Sequence, residues 1–99
     1  MAITQMTRFK SDKAEEMIKN AKNAKTIFEK HGAEFLRLSR FHTGIWAGEW
    51  LVVTRYASWE AYGKAQEGLA KDPAFAKLLA NTATVAQLMG RNITVSVDL

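Results

Sequence analysis

The chain contains no cysteine, a single proline and no apolar run of the length a membrane span needs. Without cysteine there is no disulfide framework, no thiolate metal site and no cysteine nucleophile. The opening stretch MAITQMTRFK has no continuous apolar segment of the kind a secretory leader carries. These absences together fit a cytoplasmic protein and set a membrane partner aside. Histidine is also scarce: His31 and His42 fall on separate elements with no spaced carboxylates beside them, so no metal site is expected. Carboxylates are outnumbered, and the net charge is +4. Much of the positive charge sits at Lys13, Lys19, Lys22, Lys25 and Lys30, interleaved with Glu15, Glu16 and Glu29. Such mixing marks a solvated helix face. With no aromatic-basic platform and no helix-turn-helix pattern, a nucleic-acid partner is not expected.

What is present is a chain of 99 residues, short enough for one domain over 1–99 and one core. Residues 3–10 alternate and carry β-branched side chains, which predicts a strand. Ser11 or Asp12 is placed to cap a helix over 13–30, with Glu15 three residues after Asp12 as in a capping box. Ala14, Met17, Ile18, Ala21, Ala24, Ile27 and Phe28 recur there at helical spacing, and His31 and Gly32 end it. Strands are predicted over 34–42 and 49–56. Ser58 starts a second helical region, Asp72 caps a fresh helix with Pro73 at its first position, and that helix runs to Met89 with Gly90 as its stop. The alternation of NITVSVDL predicts a last strand over 92–99.

The order βαββαβ is the split βαβ, ferredoxin-like pattern: an α+β fold with a four-stranded antiparallel sheet and its helices on one face. Helices cover only one side of such a sheet. Yet Phe35 and Phe41 alternate with Leu36 and Leu38, and Trp50, Val52 and Tyr56 with Leu51 and Val53, so both faces carry large apolar groups. A second sheet packed on the free face resolves this, making a homodimer that forms a dimeric α/β barrel.

The TGIWAG hairpin, the YASWEAYGKAQ strand-to-helix junction and the later KDPAFAKLL resemble the dimeric α/β-barrel superfamily over nearly the whole chain. Within it the chain is most similar to NIPSNAP-like and antibiotic-biosynthesis-monooxygenase-like small proteins. That superfamily includes cofactor-independent monooxygenases of aromatic polyketides, haem-degrading enzymes, muconolactone isomerases and members with no known reaction. Haem-binding relatives often carry a histidine near the position of Ala65, and some monooxygenases an asparagine at that of Arg55. This chain has neither, so no cofactor is expected.

The stretch FHTGIWAGEW at 41–50 concentrates the candidate chemistry. It is no phosphate cradle, having neither the P-loop lysine nor a following helix. Gly44 and Gly48 suit a turn between strands. If His42 pairs opposite Trp50, both share a face with Arg40, Val52, Thr54 and Tyr56; a one-residue bulge would split the group. Trp50 and Tyr56 would then stack on a planar ligand, with Trp59 and Tyr62 as a roof and Arg55 as a further cation. Alternatively these aromatics fill the core or the dimer seam, and Arg8, Arg37, Arg40 and Arg55 form ion pairs, chiefly across an interface.

Two functions stay open. The first is a homodimer of undefined activity that binds a small aromatic or acidic molecule between helices and sheet. The second is a cofactor-independent monooxygenase or related small enzyme acting on an aromatic, polyketide- or quinol-like substrate, with His42 or Arg40 as the catalytic group that stabilises an enolate.

Overall fold

The computed structural model describes residues 1–99. Strand β1 spans Ile3–Lys10, helix α1 Ala14–Lys30, strand β2 Phe35–Arg40, strand β3 Trp50–Tyr56, helix α2 Trp59–Lys71, helix α3 Pro73–Val85 and strand β4 Gln87–Val95. The strands form one antiparallel four-stranded sheet in the order β2-β3-β1-β4. This is the ferredoxin-like topology the sequence predicts, with its second helical region divided at Asp72. No helix is long and apolar enough to cross a membrane.

The registers divide the sheet cleanly. Ile3 pairs with Tyr56, Gln5 with Thr54, Thr7 with Val52 and Phe9 with Trp50, and these side chains turn toward the helices. Leu36, Leu38 and Arg40 join them, because Arg40 is the residue opposite Trp50. Thr4, Met6, Arg8, Leu51, Val53, Arg55, Phe35, Arg37 and Ser39 occupy the other face, which no helix covers. Three buried apolar clusters lie under the helices. One joins Ala24, Ile27, Leu36, Leu69 and Leu78; one joins Ile3, Ala33, Tyr56 and Ala65; one joins Met17, Trp50 and Val85.

Several boundaries differ from the sequence expectation, each for a local reason. Helix α1 begins one residue late, and neither Ser11 nor Asp12 caps it. The Ser11 hydroxyl instead accepts from the Lys13 N–H and donates to the Val85 carbonyl, tying the helix entry to the end of α3. Ser58 and Asp72 do cap α2 and α3, accepting from the Ala61 and Ala74 N–H groups. Helix α3 ends at Val85 rather than Met89, and β4 starts at Gln87 rather than Asn92. Residues 87–90 carry helix-compatible spacing, but β1 offers them a ladder: Lys10 pairs with Gln87, Phe9 with Leu88 and Arg8 with Gly90. Met89 is the extra residue of a bulge at that point.

Gly90 is therefore a strand glycine with a packing role. A Cβ there would stand 2.7 Å from Arg8 Nη2. The guanidinium lies between that backbone and the Trp46 ring, whose centroid is 4.0 Å from Cζ, while Nη1 donates to Glu49 Oε1 at 2.8 Å. Trp46 packs edge-on against Phe41, so the 41–49 connection folds back over the sheet. Gly44 and Gly48 hold φ of 89° and 88°, which explains their use in this connection.

Gly90→Ala should cost at most about 1 kcal/mol in urea titration, because the new Cβ displaces only the flexible end of Arg8 from its cation–π and ion-pair position. Gly63→Ala, in α2 with open space at its Cβ, should instead stabilise by roughly 0.5–1 kcal/mol.

Candidate functional site

Between α1, α3 and the inner face of the sheet lies an open cleft with a volume of about 110 Å³. It exists where the three apolar clusters meet without merging. Phe28 and Val52 each touch two of the clusters and line the cleft, and Phe28 meets Phe75 edge-on with centroids 5.7 Å apart. Phe9 completes the aromatic lining. Arg91, exposed on β4, is the only charged residue that lines the cleft, and it makes no ion pair.

The polar groups of the cleft fall into two sets. Gln5, Asn20 and Thr82 are engaged. The Tyr62 hydroxyl donates to Gln5 Oε1 at 2.8 Å. Asn20 Nδ2 donates to the Thr82 hydroxyl at 2.8 Å, Asn81 Nδ2 donates to Asn20 Oδ1 at 2.7 Å, and Thr82 donates onward to the Leu78 carbonyl. These bonds tie α1 to α3. Thr54 Oγ1 and Gln66 Nε2, by contrast, are buried with no partner at hydrogen-bonding geometry, and the Thr7 hydroxyl makes no side-chain bond either. Thr54 is only 2% exposed. Such a group costs about 1–3 kcal/mol relative to a satisfied one. The Tyr56 hydroxyl, next on the same face, also lacks a partner at hydrogen-bonding geometry; burial pushes its pKa above the ordinary value, and the neighbouring Thr54 hydroxyl offsets part of that rise. The cleft thus combines aromatic walls, unpartnered amide and hydroxyl groups and one cation, with no carboxylate, lysine or histidine in its lining.

The sequence candidates are distributed unevenly around it. Trp50 and Tyr56 stand on the inner face at the two ends of β3, buried in the clusters that bound the cleft. Trp50 Nε1 donates to the Ser11 carbonyl at 3.4 Å, and Arg40 stacks on its ring from the sheet edge at 4.6 Å while donating to the Gly48 carbonyl. Tyr62 reaches the cleft through Gln5 and packs edge-on against both Tyr56 and Trp59. Trp59 is half exposed, outside the cleft. Arg55 lies on the uncovered face, paired with Glu34. His42 falls beyond the last paired residue of β2, exposed in the connection, because β2 ends at Arg40. The register that would place His42 opposite Trp50 is therefore not formed. Arg8 and Arg55 take their carboxylates within the chain, and Arg37 lies over the Phe35 ring, so their partners are internal.

A family model matches residues 1–96. The chain belongs to the domain of unknown function family DUF6854. No curated protein matches it. Solved structures share its fold across nearly its whole length. Rv0793 from Mycobacterium tuberculosis is 14% identical with a TM-score of 0.71, covering 100% of this chain and 98% of its own. SnoaB, a cofactor-independent oxygenase from Streptomyces nogalater, is 14% identical with a TM-score of 0.67, covering 99% and 95%. A NIPSNAP family protein of unknown function from Agrobacterium tumefaciens is 13% identical with a TM-score of 0.71, covering 94% and 86%. The resemblance to the dimeric α/β-barrel superfamily is thus borne out at the level of fold. At these identities it shows the fold alone.

Gln5, Gln66, Arg91 and the phenylalanines of this DUF6854 chain were not among the sequence candidates. A signal existed for one of them: Gln5 and Thr7 are polar residues at the inward parity of β1, between Ile3 and Phe9. Polar groups at inward positions mark either a buried network or a lined cavity. Gln66 and Arg91 had no such signal.

The remaining titratable cluster lies away from the cleft, where α1 ends against the α2–α3 corner. His31 Nε2 sits 2.7 Å from Asp72 Oδ2, and Lys30 Nζ 3.6 Å from the same oxygen. A Cβ at Gly68 would stand 2.5 Å from His31 Nδ1, so glycine lets the ring reach Asp72. The His31 ring, with the Ala74 N–H second, holds the Asp72 carboxyl below its ordinary value of 3.8. No group of three or more His, Cys, Asp or Glu side chains is placed to hold a metal ion.

Two outcomes follow for the free protein. Thr54→Val and Gln66→Leu should each raise Tm, by the equivalent of about 0.5–1 kcal/mol, since each removes an unpartnered buried group. For the corner, Asp72 lends stability that is fully present above pH 3.8 and lost as pH falls through its lowered pKa. His31→Ala should therefore lower the urea midpoint at neutral pH, and the gap to wild type should narrow once Asp72 is protonated.

Proposed function

We propose that the protein is a cytoplasmic homodimer that binds a small aromatic or acidic molecule in the cleft between helices and sheet. The observation that carries this reading is the coincidence of phenylalanine walls with a buried, unpartnered Thr54 hydroxyl and Gln66 amide and an unpaired Arg91. Folding leaves these groups without protein partners in a cleft that is otherwise well packed, which is how a binding site differs from core. Tyr62 contributes by holding Gln5, and Tyr56 and Trp50 contribute by closing the two ends of the inner face. The dimer is supported by the uncovered face of the sheet, where Met6, Leu51 and Val53 are only half buried and Phe35 stands beside them. Paired with a second copy, these residues would complete a barrel core.

A second reading, an oxygenase that needs no cofactor, draws its support from the fold shared with SnoaB. Arg91 offers a counter-charge for a substrate anion. The lining offers no side chain that takes a proton near neutral pH, so the substrate would enter already ionised. His42 and Arg40, the groups considered for that step, stand outside the cleft and give the oxygenase reading no further support.

Light scattering at micromolar concentration should give twice the chain mass; a monomer would remove the dimer. A thermal-shift screen of aromatic acids, quinols and anthrones should raise Tm for at least one aromatic acid, and oxygen uptake on each hit separates binding from oxygenation. At a hundredfold excess over Kd, the added stability is about 2.7 kcal/mol. A flat screen across all three classes would reject the binding reading.

A further inference from the structure

Resting on the cleft as a ligand site, we infer that its ligand is a single-ring aromatic with two polar ends: a carbonyl-type oxygen at the buried end and an anionic group at the mouth. Three observations set these terms. The first is size. The cleft volume of about 110 Å³ is below the ~150 Å³ of an apolar cavity that takes up benzene. One ring enters with its outer edge toward the opening, whereas a fused tricycle would have to force α1 away from α3. The Asn20–Thr82 and Asn81–Asn20 hydrogen bonds resist that movement.

The second is the chemistry of the buried end. Asn20 and Thr82 already spend their groups on one another, on Asn81 and on the Leu78 carbonyl, and Gln5 spends its oxygen on Tyr62. What remains is mostly donors: N–H groups of Gln66 and Gln5 and the hydroxyls of Thr54 and Thr7. Donors set in so apolar a lining select an acceptor oxygen. They favour a carbonyl over a methyl or methylene of the same shape, because only the oxygen satisfies them.

The third is charge. Arg91 is the single charged residue of the lining, it pairs with no carboxylate, and it stands on the solvent side, where a ligand carboxylate would keep part of its hydration. Thr7, opposite Arg91 in the ladder, faces the same cleft and adds no opposing charge.

Calorimetric titration with 4-acetylbenzoate, 4-ethylbenzoate and 4-methylacetophenone tests both ends separately. 4-Acetylbenzoate should bind about tenfold more tightly than either compound lacking one polar end. Gln66→Leu should bring its Kd to that of 4-ethylbenzoate, with Thr54→Val acting in the same direction. Arg91→Gln should bring it to that of 4-methylacetophenone and remove the salt dependence. If all three compounds bind alike, or if Gln66→Leu and Arg91→Gln leave their ranking intact, the two-ended ligand is wrong while the cleft remains a binding site. Binding of anthraquinone-2-carboxylate as tight as that of 4-acetylbenzoate would overturn the single-ring limit. If none of the compounds binds, the cleft reading falls and this inference with it.

Discussion

Strands turn successive side chains to opposite faces, and the β1–β3 and β2–β3 ladders of this sheet agree on one parity. Because Phe9 meets Trp50 and Gln5 meets Thr54, the inner face receives Ile3, Thr7, Val52 and Tyr56, and the outer face receives Met6, Arg8, Val53 and Arg55. A slip of one residue in either ladder would exchange the two sets entirely. The cleft would then be lined by arginines, and the threonine and glutamine that give it polarity would face outward. Register is the constraint from which the site, the free face and the placement of every charge in the sheet follow.

The 41–49 connection is where that register is held. Phe41 N–H donates to the Glu49 carbonyl and Gly48 N–H to the Phe41 carbonyl, closing the segment just past the Arg40–Trp50 pair. Arg8 then pins it from the neighbouring strand through Glu49 and Trp46. Glycine-rich composition in this stretch serves backbone angle, and its tryptophans serve packing: one covers a guanidinium on the outer face, the other closes an apolar cluster on the inner face. A segment that concentrates histidine, glycine and tryptophan is here a structural clasp beside the site.

Topology, strand parity and the caps at Ser58 and Asp72 were legible because each depends on neighbours in sequence. The start of β4 was not. Val85, Leu88 and Met89 satisfy a helical period as well as any residues of α3, and only pairing with Lys10, Phe9 and Arg8, distant along the chain, draws this segment into the sheet. The site was legible in part for the same reason. Thr54 and Tyr56 emerge from the alternation of a single strand. Gln66 and Arg91 become neighbours of Thr54 only after a helix and an edge strand are placed, so their chemistry belongs to tertiary structure. His42 illustrates the converse: its proposed partnership with Trp50 fails because the register puts Arg40, two residues earlier, opposite that tryptophan.

The Asn20, Asn81 and Thr82 bonds across the top of the cleft have a mechanical consequence. Apolar helix contacts slide at little cost, and a gap held by them alone would yield to whatever entered it. Amide-to-amide and amide-to-hydroxyl bonds are directional and lose strength steeply when stretched or bent. They make the spacing of α1 and α3 a fixed gauge rather than a compliant one. Any molecule entering the cleft would meet that limit of thickness before the chemistry of the groups lining it came into play.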